Sequence, residues 1–211
     1  MTSSKQSILT SIRRHRPAAA ELPDLNQSWT TYADRRRQFT EVLTAVGGQV
    51  ILAADSSQAG DALRSMPVYA NATRIVSLVP GIGESNVSLA AVDSPHALAD
   101  VDIAILPGKF GVAENGAVWV TDQDIPLRVI YFLCQHLVLV VPANEIVDHM
   151  HAAYERLATA GPGGRSIFTV PRFGAFISGP SKTADIEQSL VIGAHGPRSL
   201  TVLLVEGDST A

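Results

Sequence analysis

Apolar positions along this chain gather into short runs, Val50–Ala53, Arg74–Val79, Val101–Leu106, His136–Val141 and Leu200–Val205, each bounded by turn-forming or polar residues. Runs of that length, rich in Val, Ile and Leu, predict strands buried on both faces. Between them lie helical patterns at Ser57–Ser65, a short one at Pro95–Ala99, a piece beginning at Pro126, and Ala143–Thr159, where Ile146, Val147, Met150, Tyr154 and Leu157 fall on one face. Strand-like and helix-like segments in alternation argue for βαβ units and an α/β fold with a mostly parallel sheet and flanking helices. The rhythm breaks at Phe110–Thr121, where Asn115-Gly116 between two apolar stretches predicts a two-residue β-hairpin turn. Further strands are expected at Ile167–Val170 and Phe176–Ile177, and a further helix after Lys182.

Two helices are expected ahead of the sheet. Lys5–Arg16 places Ile8, Leu9 and Ile12 on one side, Pro17–Asn26 reads as a linker, and a second helix runs from about Trp29 to Val46, stopped by Gly47-Gly48. Residues 1–46 are therefore read as an N-terminal helical arm of the same unit, and 47–211 as the α/β domain.

Composition narrows the class. A chain of 211 residues with 46% hydrophobic and 17% charged content suits one globular domain with a full core. No apolar run approaches the length of a membrane span and no secretory apolar segment opens the chain, so a cytoplasmic protein without membrane association is expected. The single cysteine, Cys134, excludes a disulfide within these residues and a cysteine-ligated iron–sulfur cluster; it could be a nucleophile, but its apolar neighbours favour a small core hydrophobe. Net charge is −4, yet residues 1–37 hold seven Lys/Arg against three Asp/Glu. Arg13-Arg14 and Arg35-Arg36-Arg37 lack interleaved aromatics, which favours a solvated or partner-docking face over nucleic-acid binding.

The densest signal is Ser178-Gly-Pro-Ser-Lys-Thr-Ala-Asp-Ile-Glu187 followed by Gly193-Ala-His-Gly-Pro197. Gly179-Pro180 forces a turn, and Ser181 or Thr183 can cap a following helix with Asp185 and Glu187 in its first turns. The free N–H groups of such a helix end, with Ser178, Gly179, Ser181, Lys182 and Thr183 beside them, would seat a carboxylate or phosphate; an ordinary cap without ligand is the alternative. The segment is no P-loop, because Pro180 and Ser181 separate the second Gly from Lys182. Glu114, on the rim of the hairpin, could serve as nucleophile or general base, or be a solvated strand end. His195, framed by Gly193 and Gly196, is free to face a ligand, with a structural role, the commoner one for a lone His, as the alternative. His149 and His151, two apart on a predicted helix, point about 200° from each other and cannot chelate one ion; pairing with Glu145 and Glu155 is expected instead, and no metal site is predicted. Gly81-x-Gly83 follows a strand but lacks the third glycine of a dinucleotide fingerprint.

Together with the strand–helix join His136–Val147 and the turn Gly111-Val-Ala-Glu-Asn-Gly116, these motifs make the chain similar to the LUD-domain, LutC/YkgG-type lactate-utilisation family over nearly its whole length. The resemblance implies a fold of the NagB/RpiA/CoA-transferase-like kind. It also implies a part, as a non-redox subunit, in oxidising L-lactate to pyruvate beside iron–sulfur partner proteins that would hold the clusters, with no cofactor in this chain. A small anionic ligand would sit at Ser178–Thr183, near Asn115 and Gly116, with Glu114, Asp185 and His195 as the polar groups nearest any chemistry. The Glu114-Asn115-Gly116 turn further resembles that of class I CoA transferases, where the Glu attacks an acyl-CoA thioester; an acyl- or phosphoryl-handling enzyme is the alternative. Asn115 departs from the family's usual Thr at that place.

Overall fold

The computed structural model describes residues 3–18, 20–21, 23–25, 27–167, 173–184 and 189–207. In chain order the elements are α1 (Ser4–Arg14), α2 (Arg35–Ala45), β1 (Gln49–Ala53), α3 (Ser56–Ser65), α4 (Pro67–Ala70), β2 (Ile75–Ser77), β3 (Ile103–Pro107), β4 (Phe110–Val112) and β5 (Ala117–Thr121). They continue with α5 (Ile130–Leu133), β6 (His136–Pro142), β7 (Ile146–Val147), α6 (Met150–Thr159), β8 (Gly174–Ile177), β9 (Lys182–Thr183), β10 (Val191–Ile192) and β11 (Ser199–Val205). Pro95–Leu98 is a short 3₁₀ turn.

The apolar runs become a parallel sheet in the order β1-β11-β6-β3-β2. Alternation along each strand divides its side chains between two layers. Ile103, Ile105, Val138 and Leu203 face α3 and α4, packing on Ala59, Leu63 and Met66. Ala104, Leu106, Leu137, Leu139, Val202 and Leu204 face the opposite way, into a larger core shared with Phe39 and Leu43 of α2 and with Val118 and Val120 of β5. That core is closed by a second sheet, β7-β4-β5-β8, in which β4 pairs antiparallel with β5 and parallel with β7. Its outer face, Phe110, Val112 and Trp119, packs on Ala153 and Leu157 of α6. The architecture is thus mixed α/β with a parallel central sheet, flanking helices and a hairpin, as the sequence predicts.

Several boundaries differ from expectation for physical reasons. The segment expected to be one helix from Ala143 is split: Ile146 and Val147 form β7 beside β4, and α6 starts at Met150 with His149 as its cap, Nδ1 accepting from the Ala152 N–H at 3.1 Å. His151 stacks on Trp29 with ring centroids 3.5 Å apart, and Glu145 pairs with Arg156, so the expected His–Glu pairs do not form. The helix expected from Trp29 begins only at Arg35, where the Asp34 carboxylate accepts from the Arg37 N–H at 3.0 Å. The hairpin register pairs Val112 with Ala117, leaving a four-residue loop, Ala113–Gly116, in place of a two-residue turn.

Instead of opening a helix, Lys182 and Thr183 pair antiparallel with Ile192 and Val191. Asp185, and the stretch 185–188 in which that helix was expected, lie outside the described residues, as do 168–170 of the strand expected at Ile167–Val170. The first helix, α1, carries a capping box between Ser3 and Gln6 and buries none of its residues; Ile8 and Ile12 are each about 60% exposed. No helix among the described residues is long and apolar enough to cross a membrane.

Candidate functional site

The loop at the tip of the β4–β5 hairpin is fixed on three sides. Gly116 holds φ +64°, and a Cβ there would come within 2.8 Å of the Leu43 backbone, so the loop lies directly on α2 because this residue has no side chain. The Gly116 N–H donates to the Val112 carbonyl at 3.0 Å, and Asn115 Oδ1 accepts from the Ala117 N–H at 3.1 Å. These two local bonds close the four-residue loop. The Ala113 and Glu114 N–H groups, each at 2.9 Å from its acceptor, donate to the Val147 and Asp148 carbonyls and carry the β4–β7 ladder into the loop.

Glu114 then turns its carboxylate to the start of α6, where Oε2 accepts from the Met150 N–H at 2.8 Å. A negative charge at this end complements the helix dipole. Beside it stands a group that the sequence did not single out. Asp148, only 7% exposed, accepts from the Tyr32 N–H at 2.9 Å and from Arg35 Nε at 2.8 Å, with Arg35 Nη2 at 2.7 Å. Burial works to raise the Asp148 carboxyl, but the Arg35 guanidinium, the Tyr32 amide and the charge of His149 together hold it below the usual carboxylate range. Reading 143–159 as one helix hid this residue; a strand at Ile146-Val147 followed by a His cap would have placed it.

The Ser178 segment meets the same loop from the other side. The Ser178 hydroxyl donates to the Asn115 carbonyl at 2.8 Å. Gly179, at φ +72°, lies where a Cβ would meet the Val46 carbonyl at 2.8 Å. The Lys182 ammonium donates to that same carbonyl, at the C-terminal end of α2. Ser181 is held by its backbone, N–H to the Pro197 carbonyl and carbonyl to the Gly193 N–H, each 2.9 Å. Gly196 packs close to its side chain. His195 is exposed in the intervening bend.

Asn115, Gly116, Ser178, Gly179 and Lys182 therefore converge on the end of α2, with Ser181, Thr183 and the His195 loop joined to them through the β9–β10 pair. Glu114 points away, to α6. The stretch in which the expected helix would present its N–H groups lies outside the described residues; within Ser178–Thr183, Lys182 compensates a helix C-terminus and Ser178 ties two loops. The arginine cluster is likewise engaged, Arg35 with Asp148, Arg36 with Glu206 and Arg37 with Glu41. Among the described residues no group of three or more His, Cys, Asp or Glu could hold a metal ion.

Residues 88–205 match the LUD domain family, which covers β3 to β11 and with them the β4–β5 loop, Asp148 and the Ser178 segment. The chain belongs to the LUD domain family. It is 28% identical over 83% of its length to a Lactate utilization protein C of Geobacillus kaustophilus, covering 70% of that protein. It is 31% identical over 50% of its length to one of Shouchella clausii, covering 44% of that protein. The fold is similar to the crystal structure of a DUF162 family protein from Deinococcus radiodurans, with a TM-score of 0.59 over 82% of this chain and 97% of that one at 17% identity. The LUD match takes in the β4–β5 loop, the Ser178 turn and the Gly193–Pro197 bend, so the convergence on α2 is made largely of family-matched segments meeting a helix outside the match.

Proposed function

We propose that this LUD protein serves lactate utilisation, as a subunit of a cytoplasmic system that oxidises L-lactate to pyruvate together with iron–sulfur partner proteins. What supports the reading is the similarity to Lactate utilization protein C over 83% of the chain. Oxidising lactate to pyruvate releases two electrons and two protons, and the electrons need an acceptor. The 211 residues hold one cysteine, against the four thiolates that a cysteine-ligated cluster takes. Cys134 is buried, and that burial pushes its thiol up to about 12, far from a thiolate ligand. On this reading the cysteine-ligated clusters fall to partners, and this chain is a non-redox component of the system.

The test is growth on L-lactate as sole carbon source after deletion of the gene. Loss of growth on lactate but not on glucose, restored by the wild-type gene, is the expected result. Normal growth of the deletion strain on lactate overturns the proposal.

A further inference from the structure

Away from the hairpin tip, a cavity of about 530 Å³ opens between the outer face of the second sheet and the C-terminal half of α6. Its volume falls in the range of small-molecule sites, which combine apolar walls with a few convergent polar groups. Here Trp119 and Phe173 supply flat apolar walls, and Lys109, Arg156, Thr121 and Gln123 bring the polar groups.

The charges are unbalanced. Arg156 is set against the wall by two contacts, an ion pair with Glu145 and a guanidinium 4.7 Å from the Phe110 ring centroid. Lys109 is half-buried, and no described carboxylate pairs with its ammonium. One carboxylate thus answers two cations, and an anion entering the cavity would give the second cation an ion-pair partner.

We infer that this cavity binds an organic anion with a flat apolar body, its acidic group held between Lys109 and Arg156 and its body lying against Trp119 and Phe173. A cavity of this size takes a molecule well above a three-carbon acid, so the ligand is larger than lactate. The inference does not rest on the lactate reading and survives its failure.

The probe is 1-anilinonaphthalene-8-sulfonate, an aromatic anion that accepts excitation energy from tryptophan. The chain has two tryptophans. In a Trp29→Phe background the transfer comes from Trp119 in the cavity wall, and affinities measured on the wild type check that the background is neutral. The expected result is saturable one-to-one binding that weakens about tenfold in Lys109→Ala, stays within about threefold in Lys109→Arg, and is unchanged in Lys182→Ala. N-phenyl-1-naphthylamine, the same rings without the sulfonate, binds about tenfold more weakly. Each Lys109 variant must keep the urea midpoint of its parent, and Lys182→Ala must be fully folded under the assay conditions. Absence of saturable transfer, binding within twofold of parent in a folded Lys109→Ala protein, or equal affinity for the neutral probe overturns the inference.

Discussion

The Lys182 ammonium donates to the backbone carbonyl of Val46, closing the C-terminal end of α2 from a strand 136 residues later in the chain. The carbonyls at a helix C-terminus lack internal partners and carry the negative end of the dipole, so a cation there stabilises the helix. Lys182→Ala is expected to lower stability by about 1 kcal/mol, and Lys182→Arg to restore part of it. Urea unfolding followed by circular dichroism measures both. Wild-type stability of Lys182→Ala would show that the contact does not matter to the fold.

Gly116 and Gly179 press against α2 from two loops. Gly116→Ala meets the Leu43 backbone and a left-handed φ at once, and Gly179→Ala meets the Val46 carbonyl. Each is expected to cost about 2–4 kcal/mol, because the atoms in the way are backbone and cannot rotate aside. Gly163, also at positive φ but with nothing near its missing Cβ, is the control: Gly163→Ala is expected to cost only about 1 kcal/mol. Thermal melting of the three variants separates crowding from backbone strain.

The Glu114 carboxylate accepts from the first N–H of α6, and a carboxylate is also a group that can serve as nucleophile or base. Glu114→Gln keeps an oxygen acceptor and removes the charge, whereas Glu114→Ala removes both. If the residue acts as a cap, Gln stays within about 0.5 kcal/mol of wild type and Ala loses about 1 kcal/mol, and a folded Gln variant supports growth on lactate. Loss of growth in a folded Gln variant would instead assign the carboxylate a chemical role.

Asp148 makes stability depend on acid. Its carboxyl is held below the usual range in the fold, so the unfolded chain takes up the proton first as pH falls. The contribution is fully present above the unfolded value of about 3.9 and is lost as pH drops through the folded value. Arg35 is half exposed, which screens the pair. Asp148→Asn is therefore expected to cost about 1–2 kcal/mol at pH 7 and to flatten the acid limb of the stability curve. His136 acts at higher pH: burial, then the neighbouring Arg198 charge, lower it against a smaller opposing effect of Asp102, so as pH falls below about 6.5 the unfolded chain takes up this proton before the folded one and stability declines. Urea midpoints from pH 3 to pH 8 test both; an Asp148→Asn curve parallel to wild type would refute the assignment.

Cys134, buried with its thiol pushed up by that burial, is expected to resist Ellman's reagent in the native protein and to react at once in denaturant. Fast native labelling would show that the core around α5 opens.

The strands of the parallel sheet were legible because a central strand has no solvent side: Val101–Leu106, His136–Val141 and Leu200–Val205 needed only their apolar runs to be placed. The errors fell where two-residue contacts decide. Glu145-Ile-Val-Asp148 satisfies helical spacing, and only the neighbouring β4 edge makes Ile146-Val147 a strand. Asn115-Gly116 reads as a tight turn, but α2 beneath it and the Val112–Ala117 register demand two more residues. A lysine after a Gly-Pro turn does not reveal that its ammonium reaches a helix end far away in sequence, so the Lys182–Val46 contact was not legible. Of the candidate site, proximity was legible and contacts were not: Asn115, Gly116, Ser178 and Lys182 do meet, and each also makes a contact within the chain that the spacing did not show.

The place of β11 has a consequence for the order of assembly. The last strand in the sequence is not an edge but lies between β1 and β6, in register with both over five and seven residue pairs. Until residues 199–205 are in place, β1 has no strand through which to join β6, β3 and β2. Before β11 inserts, β1 on one side and β6 on the other each show an unpaired apolar margin, so the parallel sheet becomes continuous only through a strand drawn from far along the chain.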